Sequence, residues 1–193
     1  MLANMRVIAG THRGRRLNAP RTDRLRPTSD RVREALFSIL RNRLTNGRFL
    51  DLYAGTGAVG IEAVSRGATH VTSVESDRDA LKLIQQNVQI CQIGDTLSVR
   101  AQAVEDFLGD PTQWNGSYDI IFADPPYSDA QEFSALLSKP QTMQLFNVDS
   151  WLVIEHATRT TLPASLGLTE LMRRYRYGDT TLSVYSSPKA VQP

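Results

Sequence analysis

The chain has 193 residues, 41% hydrophobic and 22% charged, with twelve Gly, nine Pro and one Cys. That size suits one globular domain with a substantial core, and the composition excludes collagen-like, low-complexity and disulfide-scaffold proteins. The net charge of +2 conceals a division: residues 1–48 carry twelve arginines, no lysine and three acids, a net of +9, whereas residues 49–193 carry ten basic and seventeen acidic residues, a net of −7.

A basic arm on an acidic body is the footprint of a polyanionic partner. Arginine strengthens that reading, because its planar fork pairs bidentately with phosphate and stacks on bases. A merely solvated basic surface is the plainer alternative, but the imbalance over a quarter of the chain favours nucleic acid. No apolar run is long enough to cross a bilayer, and the first residues lack the apolar stretch of a signal peptide. A cytoplasmic protein without a membrane partner is therefore expected. The lone Cys91 fits a reducing compartment and a packing role.

In chain order, Met5 to Leu17 reads as a short hairpin with a basic tip at Arg13, Arg15 and Arg16. A polar loop with Pro20 follows. Thr28 or Ser29 caps a helix in which Val32, Ala35, Leu36, Ile39, Leu40 and Leu44 form the buried stripe. Arg31, Arg33, Arg41 and Arg43 fall off that stripe, and Asn46-Gly47 ends the helix. From Phe49 the pattern becomes alternating strands and helices. Strands are predicted at 49–52, 70–75, 96–100, 118–123 and 151–155, and helices at 58–65, 77–92, 104–108 and 129–137. Residues 168–175 and 180–185 pair as a terminal hairpin turned at Gly178-Asp179. The expected fold is α/β and Rossmann-like: a mostly parallel, seven-stranded sheet with helices on both faces. The expected domains are a basic extension over 1–47, a catalytic domain over 48–187 and a tail over 188–193.

Gly55, Gly57 and Gly60 follow the first parallel strand and open a helix, meeting the pattern G-x-G-x-x-G. Glu75 ends the next strand, twenty residues beyond Gly55, where a carboxylate accepts from ribose hydroxyls. Spacing alone fits a dinucleotide. Asp51, however, would repel a pyrophosphate and suits a ligand with an ammonium group and a sulfonium, which favours S-adenosylmethionine over NAD. Asp51 could also cap the loop's own amides, and both roles can coexist. None of the three lysines completes a P-loop, and the three histidines lack metal-ligand spacing, so no metal is expected.

Asp124-Pro125-Pro126-Tyr127 ends the strand YDIIFA, at the edge where open α/β sheets bind ligands. Proline punctuation explains Pro-Pro but not the flanking Asp and Tyr. A chemical role uses all four. The Asp124 carboxylate and the Pro125 carbonyl can both accept from one NH2 group, aiming its lone pair at a methyl donor. The prolines fix the carbonyl, and Tyr127 offers a stacking face for a flipped base.

Arg6 to Gly10, Arg13 to Leu17, Asp-Pro-Pro-Tyr after Asp51-x-x-x-Gly-x-Gly, the stretch Leu25 to Phe37 (LRPTSDRVREALF) and Tyr177 to Leu182 together resemble the RsmD-type 16S rRNA guanine-N2 methyltransferases. The match spans nearly the whole chain. The resemblance implies a class I S-adenosylmethionine-dependent enzyme acting on a guanine of 16S rRNA within a 30S particle or assembly intermediate; nothing in the sequence suggests an obligate dimer, and a monomer is expected. It implies cofactor contacts from Asp51, Tyr53, Ala54, Gly55, Gly57, Glu75, Ser76, Ala103, Val104 and Thr28. It implies that Asp124 to Tyr127 hold the guanine, and that Arg13, Arg15, Arg16, Arg26, Arg31 and Arg33 meet RNA. One position departs: many relatives carry Asp or Asn where this chain has Ala103, and Gln102 or Glu105 are the candidates to replace that adenine contact. The competing readings are an adenine-N6 nucleic-acid or protein glutamine methyltransferase, an NAD(P) oxidoreductase, and a non-catalytic RNA-binding module.

Overall fold

The computed structural model describes residues 5–20, 29–126 and 130–189. After an N-terminal arm the elements run α1 (Asp30–Leu40), β1 (Arg48–Leu52), α2 (Ala58–Ser65), β2 (His70–Glu75), α3 (Arg78–Cys91), β3 (Leu97–Ala101), α4 (Val104–Gly109), β4 (Tyr118–Ala123), α5 (Ala130–Leu137), β5 (Phe146–Ala157), β6 (Ser165–Leu166), β7 (Thr169–Tyr177) and β8 (Thr180–Ser186). One sheet contains all eight strands in the order β3-β2-β1-β4-β5-β8-β7-β6. The pairs from β3 to β5 are parallel, and β8 is antiparallel to both β5 and β7. The carboxyl ends of β1, β2, β4, β5 and β7 therefore share one edge.

The central strands are apolar on both faces because helices cover both. Phe49, Val71, Ile120, Phe122, Val153 and Leu182 face one core with α1, α2 and α3. Leu50, Leu52, Val74, Ile121, Leu152 and Tyr185 face the other with α4 and α5. Met5, Val7 and Leu17 of the arm belong to the first core.

The sheet has one strand more than the seven expected. Two-residue β6 pairs only with Thr169 and Glu170, and is too short to show a pattern of its own. Strand β5 begins at Phe146 rather than Trp151, past a register shift against β4 and through Asp149 at φ +57°. The terminal hairpin falls at its expected place. The arm's hairpin is reduced to a single bridge between Arg6 and Arg16, flanked by Val7 N–H to Arg15 O at 3.0 Å and Leu17 N–H to Met5 O at 2.9 Å.

Ser29 caps α1, accepting from Val32 N–H at 3.2 Å. Arg33 corrects the sequence reading. Expected off the buried stripe and in contact with RNA, it is fully buried. Its Nη2 donates to the Arg6 carbonyl and, at 3.0 Å, to Asp30 Oδ1. Burial pushes its pKa down, against the pull of Asp30 and Glu62. Arg33 therefore joins α1 to the arm.

Candidate active site

The turn after β1 is built against strain. Tyr53 takes φ +61°, a region costly for a side chain with a Cβ, and Gly55 and Gly57 follow at +56° and +73°. Ala54 N–H reaches across to Val74 O at 3.0 Å, and Gly57 N–H closes the turn on Ala54 O at 2.8 Å. The Tyr53 hydroxyl donates to Glu105 Oε1 at 3.2 Å, and its ring lies edge-on to Phe133. A Cβ at Gly55 would meet nothing within 4 Å, so the loop's backbone faces open space. A Cβ at Gly60 would lie 2.7 Å from Ser73 Oγ, so this glycine serves helix–strand packing.

Three carboxylates converge on this loop. Glu75 is half-buried: its Oε2 accepts from Gly55 N–H at 2.7 Å, and its Oε1 accepts from Ser76 and Asp77 N–H, each at 2.8 Å. A carboxylate oxygen has two acceptor sites, so Oε2 retains one for a hydroxyl. Asp51 is 1% exposed, and its Oδ2 accepts from Gly60 N–H at 3.0 Å. Burial pushes the Asp51 carboxyl up to about 8; the Gly60 N–H opposes this, while Asp124 and Glu75 add to it. Asp51 thus takes the loop-capping role that the sequence left open beside ligand binding. Asp124 follows β4, half-buried, with its N–H toward Leu52 O at 3.4 Å; Pro125 is buried and Pro126 exposed.

Ala103 stands at the N-terminus of α4, where it supplies no side-chain cap, and Val104 is buried behind it. Glu105 is engaged with Tyr53, whereas Gln102 Nε2 is buried without a hydrogen-bond partner among the described residues. Ser76 is exposed beside Glu75. The loop's open backbone, the half-buried Glu75 and the apolar Val104 fit a nucleoside-bearing ligand with a slender, charged tail. Thr28, Arg26 and Tyr127 lie outside the described residues.

The basic arm is fastened to the helix that the glycine loop opens. Buried Glu62 of α2 accepts from Ile8 N–H at 2.7 Å, Ala9 N–H at 3.0 Å and Arg66 Nε at 2.6 Å. Ser65 holds Thr11 N–H through its carbonyl at 2.8 Å and His12 N–H through its hydroxyl at 3.0 Å. Gly10 (φ +83°) passes so close that a Cβ there would lie 1.7 Å from Ser65 O. Buried Asn87 of α3 accepts from Asn18 N–H at 2.7 Å and donates to Asn18 O at 3.1 Å and to Thr56 O at 3.0 Å. One side chain thus ties the arm to the glycine loop. Arg13, Arg15, Arg16 and Arg31 are exposed, Arg15 also donating to Ile90 O at 2.6 Å. Sequence reading missed Glu62, Ser65 and Asn87. Asn87 carried a signal: three residues after Ile84, it is a polar side chain on a helix's apolar face.

A protein-family model described as "Conserved hypothetical protein 95" matches residues 5–186. The Ribosomal RNA small subunit methyltransferase D of Escherichia coli is 36% identical over 151 residues, 78% of this chain and 71% of that one. The chain belongs to the RsmD family. YlbH of Bacillus subtilis is 34% identical to this family member over 181 residues, 94% of this chain and 98% of YlbH. Among solved structures, yhhF from Escherichia coli superposes with a TM-score of 0.80 at 31% identity, covering 95% of this chain and 98% of that one. An RNA methyltransferase from Salinibacter ruber, solved with S-adenosyl-L-homocysteine, shares the fold at a TM-score of 0.63 and 16% identity, over 86% of this chain and 97% of that one. The class I methyltransferase fold expected from the sequence is the observed one. Among the described residues, no helix is long and apolar enough to cross a membrane.

Proposed function

We propose that this chain transfers the methyl group of S-adenosylmethionine to the exocyclic N2 of a guanine in small-subunit rRNA. The observation that carries the reading is Asp124-Pro125-Pro126 at the carboxyl end of β4, adjacent in the sheet to the strand that opens the glycine loop. The family supports rRNA as the substrate, since the Escherichia coli relative bears that activity in its name. Arg13, Arg15, Arg16 and Arg31, exposed beside the loop's own helix system, together with Arg26, supply phosphate contacts. A 30S particle or assembly intermediate is the proposed setting, with the enzyme monomeric.

Tyr53, Ala54, Gly55 and Gly57 would hold the cofactor's amino-acid end, Glu75 and Ser76 its ribose, and Ala103 and Val104 its adenine, with Thr28 proposed as a further contact. When bound, the cofactor supplies an electrophilic methyl group on a sulfonium. The chain's own residues then have one task, which is positioning. A guanine N2 amine is a poor nucleophile because its lone pair is delocalised into the ring. Asp124 and the Pro125 carbonyl accept its two N–H bonds and turn the lone pair out of plane. Pro125 and Pro126 remove backbone freedom at that carbonyl, and Tyr127 stacks on the extruded base. Holding two reactants in line contributes rate without strong base catalysis. The proton is lost after transfer, when the amine has become acidic, and Asp124 is placed to accept it.

Replacing Asp124 with Ala removes one acceptor and leaves the cofactor loop intact. Transfer to small subunits falls at least a hundredfold, while S-adenosylhomocysteine affinity measured by calorimetry stays within a few fold. Transfer at the wild-type rate would refute the amine clamp.

A further inference from the structure

We infer that strand β7 forms a second RNA-contacting surface, on the side of the methyl-transfer edge opposite the arm. The inference rests on the rRNA methyltransferase reading, and its partner is the RNA strand flanking the target nucleotide. The acidic body contains one basic stretch: residues 157–177 hold Arg159, Arg173, Arg174 and Arg176 against the single acid Glu170, with no lysine. All four arginines are exposed. Among the described residues none of them pairs with a carboxylate. Arg173 lies over the Tyr175 ring at 5.2 Å, and Arg174 Nη2 donates to Leu162 O at 2.8 Å.

The sheet decides where these charges stand. β7 runs in the direction of β4 and β5, because β8 is antiparallel to both β5 and β7. Its carboxyl end therefore rises to the ligand edge. Ala123, just before Asp124, is level with Ile154; Arg176, through Thr181, is level with His156, two residues further. Three strand steps separate β4 from β7, about 14 Å at about 4.8 Å each. That is about four rises of 3.4 Å along one nucleic-acid strand. Thr158 fixes the Arg159 loop to the hairpin turn, its N–H on Asp179 O at 2.8 Å and its hydroxyl on Gly178 O at 3.0 Å. The arm is fastened to α2 and α3, which lie over the β1-β2-β3 half of the sheet. An RNA strand with its target base at Asp124 would thus meet arginines on both sides.

Charges on an open edge strand also prevent sheet-to-sheet association, and among the described residues the β6 segment leaves β7 open beyond Leu171. Either sign of charge would serve that purpose, yet every charge from Met172 to Tyr177 is arginine. The experiment separates the two roles. Binding of a full-length small-subunit rRNA transcript is measured against salt for the wild-type chain, for Arg173→Gln with Arg176→Gln, and for the corresponding Lys pair. Each lost phosphate contact lowers the slope of log affinity on log salt by about 0.7 to 0.9. The Gln pair is expected to lower it by about 1.4 to 1.8 with S-adenosylhomocysteine affinity unchanged, and the Lys pair to keep it. A wild-type slope in the Gln pair overturns the inference and leaves the rRNA reading standing. An equal loss in the Lys pair makes the effect structural and also overturns it. A wild-type chain with no salt-dependent RNA binding overturns the rRNA reading and this inference together.

Discussion

Asp51 sits where an ionised acid is expensive: fully buried, beside two further carboxylates, with one N–H bond in return. Its native carboxyl is pushed up to about 8 from an unfolded value near 3.9. The native state therefore holds a proton that the unfolded chain releases. This contribution is fully present below about pH 4 and is lost as pH rises through about 8, by up to about 1.4 kcal/mol for each pH unit. Asp51→Asn keeps an acceptor for Gly60 and removes the titration. Its melting temperature should fall less than the wild type's between pH 5 and 8.5; parallel profiles would contradict the assignment. Asn87 is the second buried polar side chain with a wide reach. Asn87→Ala leaves both Asn18 backbone groups and Thr56 O without their partner, at a cost of about 2–4 kcal/mol in denaturant unfolding. A cost under 0.5 kcal/mol would mean that the arm is held elsewhere. Residues of this kind were legible only as exceptions. Asn87 breaks an apolar stripe, whereas Arg33 follows the ordinary rule that arginines lie outside, and nothing local to its helix reveals the Arg6 carbonyl that buries it.

At the scale of elements, β2, β4 and α2 lie where alternation and the glycine pattern put them, because each is set by its own residues. The failures are pieces that exist only through neighbours. β6 is two residues placed by β7, and the first half of β5 is a mixed apolar and polar run carried past a register shift. The arm pairs with itself as expected, Arg6 opposite Arg16, but its seat on the domain is set by α2. Gly10→Ala tests that docking directly. The new methyl group cannot coexist with Ser65 O, so the arm must leave its seat. Stability should drop by about 1–3 kcal/mol, and RNA affinity should fall at least tenfold, while S-adenosylhomocysteine binding stays within a few fold. Unchanged RNA affinity would separate the arm from RNA recognition.

Across the whole molecule, charge and topology tell one story. The sheet gathers the ends of β1, β2 and β4 into one edge, which unites the glycine loop, Glu75 and Asp124. The basic arm is bound through Glu62, Ser65 and Asn87 to the same helices that frame this edge. Most of the site was legible because its chemistry depends on short motifs at strand ends, whose positions a parallel sheet determines. The arm's attachment was not legible, since it depends on side chains 27 to 69 residues away in sequence. Together these parts are proposed to methylate a guanine amine of small-subunit rRNA. The most direct test is transfer from labelled S-adenosylmethionine to small subunits lacking native modification, followed by nuclease digestion and nucleoside mass spectrometry. Label in N2-methylguanosine is the expected result. Label in N6-methyladenosine, or none despite measured cofactor binding, would contradict it.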